Sequence, residues 1–215
     1  MIAAVVFDLD GVIIDSEAVW NDARRELVVE RGGTWRDDSQ RAMMGMSSTE
    51  WSAYMHEELG VDMDPREISA AVVSRLEDLY RERVPLIPGA REAVIRTAER
   101  WPLGLASSAN RVIIELVLEL TELGRYFGAT VSSEEVAQGK PAPDVYLEAS
   151  RRLGVAAPDC AAVEDSANGL RSAAAAGMKV IAVPNREFPP PPDALALADH
   201  VLESVAELNA GVIDS

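Results

Sequence analysis

The chain opens with an unbroken apolar run, residues 2–7 (IAAVVF), that stops at Asp8. A short continuous run rich in β-branched side chains is the pattern of a strand covered on both faces, as in parallel sheets. Comparable runs recur from residue 83 onward: LGLAS at 103–107, ATVSS at 129–133, CAAVE at 160–164 and KVIAV at 179–183. Helical spacing separates them at 90–100, 112–120, 144–153 and 169–176. Strand alternating with helix predicts an α/β fold, a doubly wound parallel sheet. A weak strand and helix are expected after the proline run at 189–192, which reads as a spacer.

Residues 16–82 have a different texture, with helical stretches, polar breaks such as Arg31-Gly32-Gly33, and no convincing strand. They predict an inserted helical cap domain over 16–83, with the core formed by 1–15 and 84–215. The two prolines of VPLIPG at 84–89 suit a return linker between cap and core.

In an open parallel sheet, ligands bind beyond the carboxyl ends of the strands. The polar residues fall there. Strand one ends in Asp8-Leu9-Asp10-Gly11, strand two in Ser107, the strand at 160–164 in Glu164-Asp165, and Lys140 lies in the loop GKPAPD after the third strand. Side chains two apart in an extended chain face the same way, so Asp8 and Asp10 share one site while Leu9 turns into the core. Adding Glu164 and Asp165 makes four carboxylates against one lysine, and each like-charged pair near 4 Å costs about 4 kcal/mol at an effective dielectric of 20. Such a cluster calls for a divalent cation. Its ligands are all oxygen, with no Cys or His partner nearby, which points to Mg²⁺ rather than Zn²⁺.

Charge and composition narrow the setting. With 20 basic against 36 acidic residues the formal net charge is -16, which argues against binding to nucleic acid or anionic membranes. A phosphorylated substrate would meet a repulsive field, so its site must carry its own positive charge, and Lys140 is one of only two lysines, the other being Lys179. Cys160 is the only cysteine and is expected to fill the core. Without a possible intrachain disulfide, a cytoplasmic setting is favoured. No basic leader precedes the first apolar run, which Asp8 interrupts, and no segment approaches the roughly 20 apolar residues of a membrane span. His56 and His200 lack the partner spacing of a metal site or catalytic triad and read as structural.

DLDGVIIDSE at 8–17, LASSAN at 105–110, GKPAPD at 139–144 and VEDSANGLRSAAAAGM at 163–178 resemble, in order, the four motifs of the haloacid dehalogenase superfamily. The resemblance is to the branch holding β-phosphoglucomutases and hexose- and hexitol-phosphate phosphatases, and it covers nearly the whole chain. It implies a Rossmann-like core in which Asp8 is the nucleophile of a phosphatase and forms an aspartyl-phosphate, with Asp10 as general acid and base. It also implies that Ser107, Ser108, Asn110 and Lys140 bind the phosphate or substrate, with Asn168 a weaker candidate. Mg²⁺ would be held by Asp8, the backbone carbonyl of Asp10, Asp165, and Glu164 directly or through water.

Glu17, Trp20, Met44 and Trp51 in the cap are the candidates for specificity. The implied substrate is a small phosphorylated metabolite, a sugar or sugar-alcohol phosphate, and the implied assembly a monomer or weak homodimer. A phosphosugar mutase of the β-phosphoglucomutase type is the alternative. Mutase caps supply a histidine and an arginine for the second phosphate, whereas the matching positions here, Trp20 and the Ser48 that follows Gly45-Met46-Ser47, are uncharged. Hydrolysis is therefore expected. Asp10 argues against a dehalogenase, and the lack of a cap lysine against a phosphonatase.

Overall fold

The computed structural model describes every residue of the chain except Gly45 and Glu187. The core is a six-stranded parallel sheet in the order β3-β2-β1-β4-β5-β6. The strands are β1 (Ala4–Phe7), β2 (Leu103–Ser107), β3 (Phe127–Ser132), β4 (Cys160–Glu164), β5 (Lys179–Ala182) and β6 (His200–Val201). Before the sheet's second strand come the helices α1 (Glu17–Glu30), α2 (Ser39–Met43), α3 (Ser48–Glu57), α4 (Pro65–Glu82) and α5 (Ala90–Ala98). After it come α6 (Arg111–Leu120), α7 (Asp144–Leu153), α8 (Ala167–Ala175), α9 (Pro192–Leu195) and α10 (Ala210–Asp214).

Alternation within the buried strands builds two separate cores. Val5, Phe7, Leu103, Leu105, Val163 and Ile181 face one side, where α5, α6 and the cap helices cover them. Ala4, Val6, Ala106, Cys160, Ala162 and Val180 face the other, beneath α7 and α8. Cys160 is accordingly wholly buried. The third strand starts at Phe127, two residues before the apolar run that announced it, because the Phe127 ring packs edge-on against Phe7 with centroids 6.2 Å apart.

Between α1 and α4 the described backbone forms no strand. Capping residues set helix starts here. Ser47 and Glu50 form a reciprocal capping box on α3, and Asp64 and Glu67 another on α4, whose first residue is Pro65. The two linkers to the cap run side by side: Ile14 bridges Leu86 in antiparallel fashion, Asp15 N donates to Pro85 O at 2.8 Å, and Ile87 N to Ile13 O at 3.0 Å. Lys179 has a structural post, its ammonium donating to the carbonyls of Val212, Ile213 and Ser215 at the end of α10. Among the described residues no helix is long and apolar enough to cross a membrane.

Candidate active site

The strand order reverses at β1, which lies between β2 and β4. Such a reversal leaves a crevice at the carboxyl ends of the strands. Asp8, the first residue past β1, anchors there by donating its backbone N–H to Val163 O at 3.0 Å. The chain then folds back, Ile13 N and Ile14 N both donating to Leu9 O. Gly11 sits in the turn at φ +80°, and a Cβ placed on it would lie 1.9 Å from Asp165 Oδ2. Only glycine meets both demands.

Lys140 reaches this edge from the loop before α7. Its ammonium donates to Asp8 Oδ1 at 2.9 Å and to Glu164 Oε1 at 2.5 Å, and all three side chains are almost wholly buried. Glu164 is held on every side. Tyr146 O–H donates to its Oε1 at 2.8 Å, while Asp165 N, Ser166 N and Ser166 Oγ donate to its Oε2. A Cβ on Gly169 would lie 1.8 Å from Glu164 Oε1, so the first turn of α8 leaves this carboxylate its room. Glu164 thus steers Lys140 onto Asp8, a task not apparent from the motif alone.

Asp10 is gripped from the cap. Ser16 Oγ and Trp20 Nε1 both donate to Asp10 Oδ1, the indole at 3.1 Å, and Ser107 Oγ lies 3.4 Å from Oδ2. Ser107 also accepts from Ala109 N at 3.0 Å and is fully buried, so its hydroxyl serves Asp10 and the turn. Its neighbours Ser108 and Ala109 line the cavity instead. Asn110 is turned away: its Nδ2 donates to Glu134 Oε1 at 2.8 Å. Asn168 lines a neighbouring cavity with Arg41 and Ser166. His56 and His200 make local contacts, to Val61 O and Ser215 Oγ.

Between core and cap lies a cavity with about 60 Å³ of free volume. Asp8, Asp10, Lys140 and Asp165 form its floor, and Glu17, Trp20, Met44 and Trp51 stand among its cap-side walls. Arg24 also lines it, a residue passed over in the sequence. A signal was present. Trp20, Ala23, Arg24, Leu27 and Val28 form the buried stripe of α1, and an arginine inside such a stripe is anomalous. Trp20 and Ser48, at the positions where mutase caps carry a histidine and an arginine, are uncharged, and Arg24 supplies the cavity with a cation from elsewhere on α1. Ser48 donates to Glu134 Oε1 at 3.3 Å, tying α3 to the core, and Gly45 lies outside the described residues.

Electrostatics separates the groups. Burial pushes the Asp8 carboxyl up to about 8, with Lys140 opposing and Glu164 and Asp10 adding to the rise. Burial, then Glu164 and Asp8, hold Asp165 well above the usual carboxylate range. Burial alone would lower Lys140, yet Asp8 and Glu164 outweigh it and keep the ammonium charged.

Asp8, Glu164 and Asp165 bring ligand oxygens within 4.8 Å of one another. Three carboxylates against one ammonium leave two formal negative charges uncompensated. Asp165 Oδ1 is buried without a hydrogen-bond partner among the described residues. An all-oxygen set with a spare buried acceptor fits a hard divalent cation.

A parallel α/β core with three buried carboxylates and a lysine gathered at the strand reversal, beneath helices inserted after β1, defines a cap-and-core architecture. The model of the haloacid dehalogenase-like hydrolases matches residues 5–183, and the chain belongs to that family. Hexitol phosphatase B of Escherichia coli (strain K12) is 35% identical over 215 residues, covering 97% of this chain and 95% of that protein. A phosphorylated carbohydrates phosphatase of Thermotoga maritima is 31% identical over 180 residues, 83% of each chain. Among solved structures, a CbbY variant from Rhodobacter sphaeroides in complex with xylulose-(1,5)bisphosphate superposes with a TM-score of 0.85 at 28% identity, covering 99% of this chain and 100% of that one.

Proposed function

We propose that this hydrolase is a Mg²⁺-dependent phosphatase that cleaves a small sugar or sugar-alcohol phosphate through an aspartyl-phosphate on Asp8. The observation that carries the reading is the buried Lys140 ammonium 2.9 Å from Asp8 Oδ1, beside a carboxylate cluster that wants a cation. An Asp8 oxygen attacks phosphorus as the bond to the leaving oxygen breaks, and Asp10 gives that oxygen its proton. Asp10 then takes a proton from water, whose oxygen attacks phosphorus and frees Asp8. Two easier displacements replace one hard one.

Lys140 neutralises charge on the phosphoryl group, and Glu164 keeps its ammonium aimed there. Ser16, Trp20 and Ser107 keep Asp10 pointed at the reacting atoms. Asp8, Asp165 and the backbone carbonyl of Asp10 would hold Mg²⁺, which supplies charge neutralisation at phosphate oxygens. The small cavity supports a small leaving group admitted by cap movement. The names of the phosphatase relatives favour hydrolysis over the mutase.

Phosphate release from a panel of phosphorylated metabolites, with and without Mg²⁺, tests this. Asp8→Asn should lose activity by a factor on the order of 10³ or more, and chelation should abolish turnover reversibly. Retained activity in that variant defeats the nucleophile, and conversion of glucose 1-phosphate to glucose 6-phosphate without phosphate release restores the mutase.

A further inference from the structure

Arg24 lines the cavity without a hydrogen-bond partner among the described residues. Its side chain is 6% exposed, yet no hydrogen bond or ion pair to it is found among the described residues, and its Nε is buried without a partner. The guanidinium instead lies against two indoles that meet edge to face with centroids 6.0 Å apart, 4.6 Å from the Trp20 ring centre and 4.9 Å from that of Trp51. Cation–π contact fixes where the group sits without using its in-plane N–H donors. A buried guanidinium with unused donors is costly unless a ligand supplies acceptors. Arg24 enters the cavity from the cap helix α1, while Asp8 lines it from the core, which puts that ligand at the leaving-group end of the substrate.

We propose that Arg24 is a specificity-determining residue that donates to hydroxyl oxygens of the leaving group, with Glu17 accepting hydrogen bonds from its hydroxyl groups, so that the site selects a polyhydroxylated monophosphate over a bisphosphate. Glu17 lines the same cavity and interacts electrostatically with Arg24. A hydroxyl both donates and accepts, which suits a guanidinium and a carboxylate standing together. A second phosphate does not suit them. It would bring its charge to a single guanidinium that already has the carboxylates of Glu17 and Asp10 as electrostatic neighbours, and like charges repel. The indole faces offer apolar surface to the carbon skeleton of a polyol.

The inference rests on the phosphatase reading, and two assays separate their fates. With turnover, the enzyme and its Arg24→Met and Arg24→Lys variants are compared on a hexitol monophosphate, the matching hexitol bisphosphate and phenyl phosphate. Arg24→Met should lower kcat/KM for the hexitol monophosphate about tenfold more than for phenyl phosphate, the size of one lost hydrogen bond to a charged group. Arg24→Lys, which keeps the charge but not the fork, should recover part of the difference. Equal losses on both esters, or preference of the unaltered enzyme for the bisphosphate, overturn the assignment.

Without turnover, calorimetry in an Asp8→Asn background measures hexitol monophosphate and inorganic phosphate. Adding Arg24→Met should weaken the first about tenfold and the second less than twofold. Equal weakening of both overturns the assignment. Failure of every ester to release phosphate defeats the phosphatase reading, while the binding assay still judges Arg24.

Discussion

The floor of the cavity and its roof solve opposite problems. On the floor, charged groups from three separated segments converge: Lys140 pairs with Asp8 and Glu164, Tyr146 and two backbone N–H groups complete Glu164, and Asp165 keeps one acceptor open. On the roof, helix α1 presents a cation held by indole faces with its donors unspent. On the proposed reading, the floor carries out one reaction whatever the leaving group, and the roof chooses that group. Trp20 belongs to both, since its N–H holds Asp10 while its ring holds Arg24.

Three substitutions sharpen this division. The largest effect is expected from Lys140→Met, which strands Asp8 and Glu164 as buried carboxylates. Breaking such a pair costs about 3–5 kcal/mol. Thermal unfolding should show that loss, and phosphate release should fall for every ester alike; a loss confined to one ester would move Lys140 from chemistry to recognition.

Trp20→Phe comes next, removing the indole donor from Asp10 while keeping an aromatic ring near Arg24. One lost hydrogen bond to a charged acceptor corresponds to about tenfold, and it should appear in kcat. Binding of inorganic phosphate by the same variant, measured by calorimetry, should move less than twofold; a change in binding with kcat intact would place the indole wholly in the roof.

The smallest effect is expected from Ser48→Ala, which removes a cap hydroxyl from the shared acceptor Glu134. Asn110 Nδ2 and Arg111 N still donate to that carboxylate. At 3.3 Å the Ser48 contact is a long hydrogen bond to a carboxylate that keeps its other donors, and its loss, about 1 kcal/mol, should alter KM a few-fold and leave the thermal midpoint nearly unchanged. A large fall in kcat would mean that docking of α3 arms the floor.

How much of this could be read beforehand follows the same line. Asp8, Asp10 and Asp165 were legible because short buried strands have a period of two and end where a parallel sheet binds its ligands, and Lys140 because it is one of two lysines and lies in a loop off that edge. Glu164 was legible as a member of the cluster but not as the support of Lys140, since adjacent carboxylates at a strand end do not declare which one faces the cavity. Asn110 was hidden for a tertiary reason: its partner Glu134 comes from beyond β3. In the cap, Glu17, Trp20, Met44 and Trp51 could be named as candidates. Arg24 was missed because a helix exposes its inward face only once its rotation is known, although a charge on an apolar stripe was there to be noticed.

The paired linkers give the roof one further property. Ile14 and Leu86, with the flanking Asp15–Pro85 and Ile13–Ile87 hydrogen bonds, join the two linkers into a two-ply strap. Ser16 and Trp20, the two donors that clasp Asp10 from above, lie just past that strap on the cap side. In the cap movement proposed above, turning about the strap would withdraw both donors in the same stroke that lets solvent in, so an open molecule would be a disarmed one.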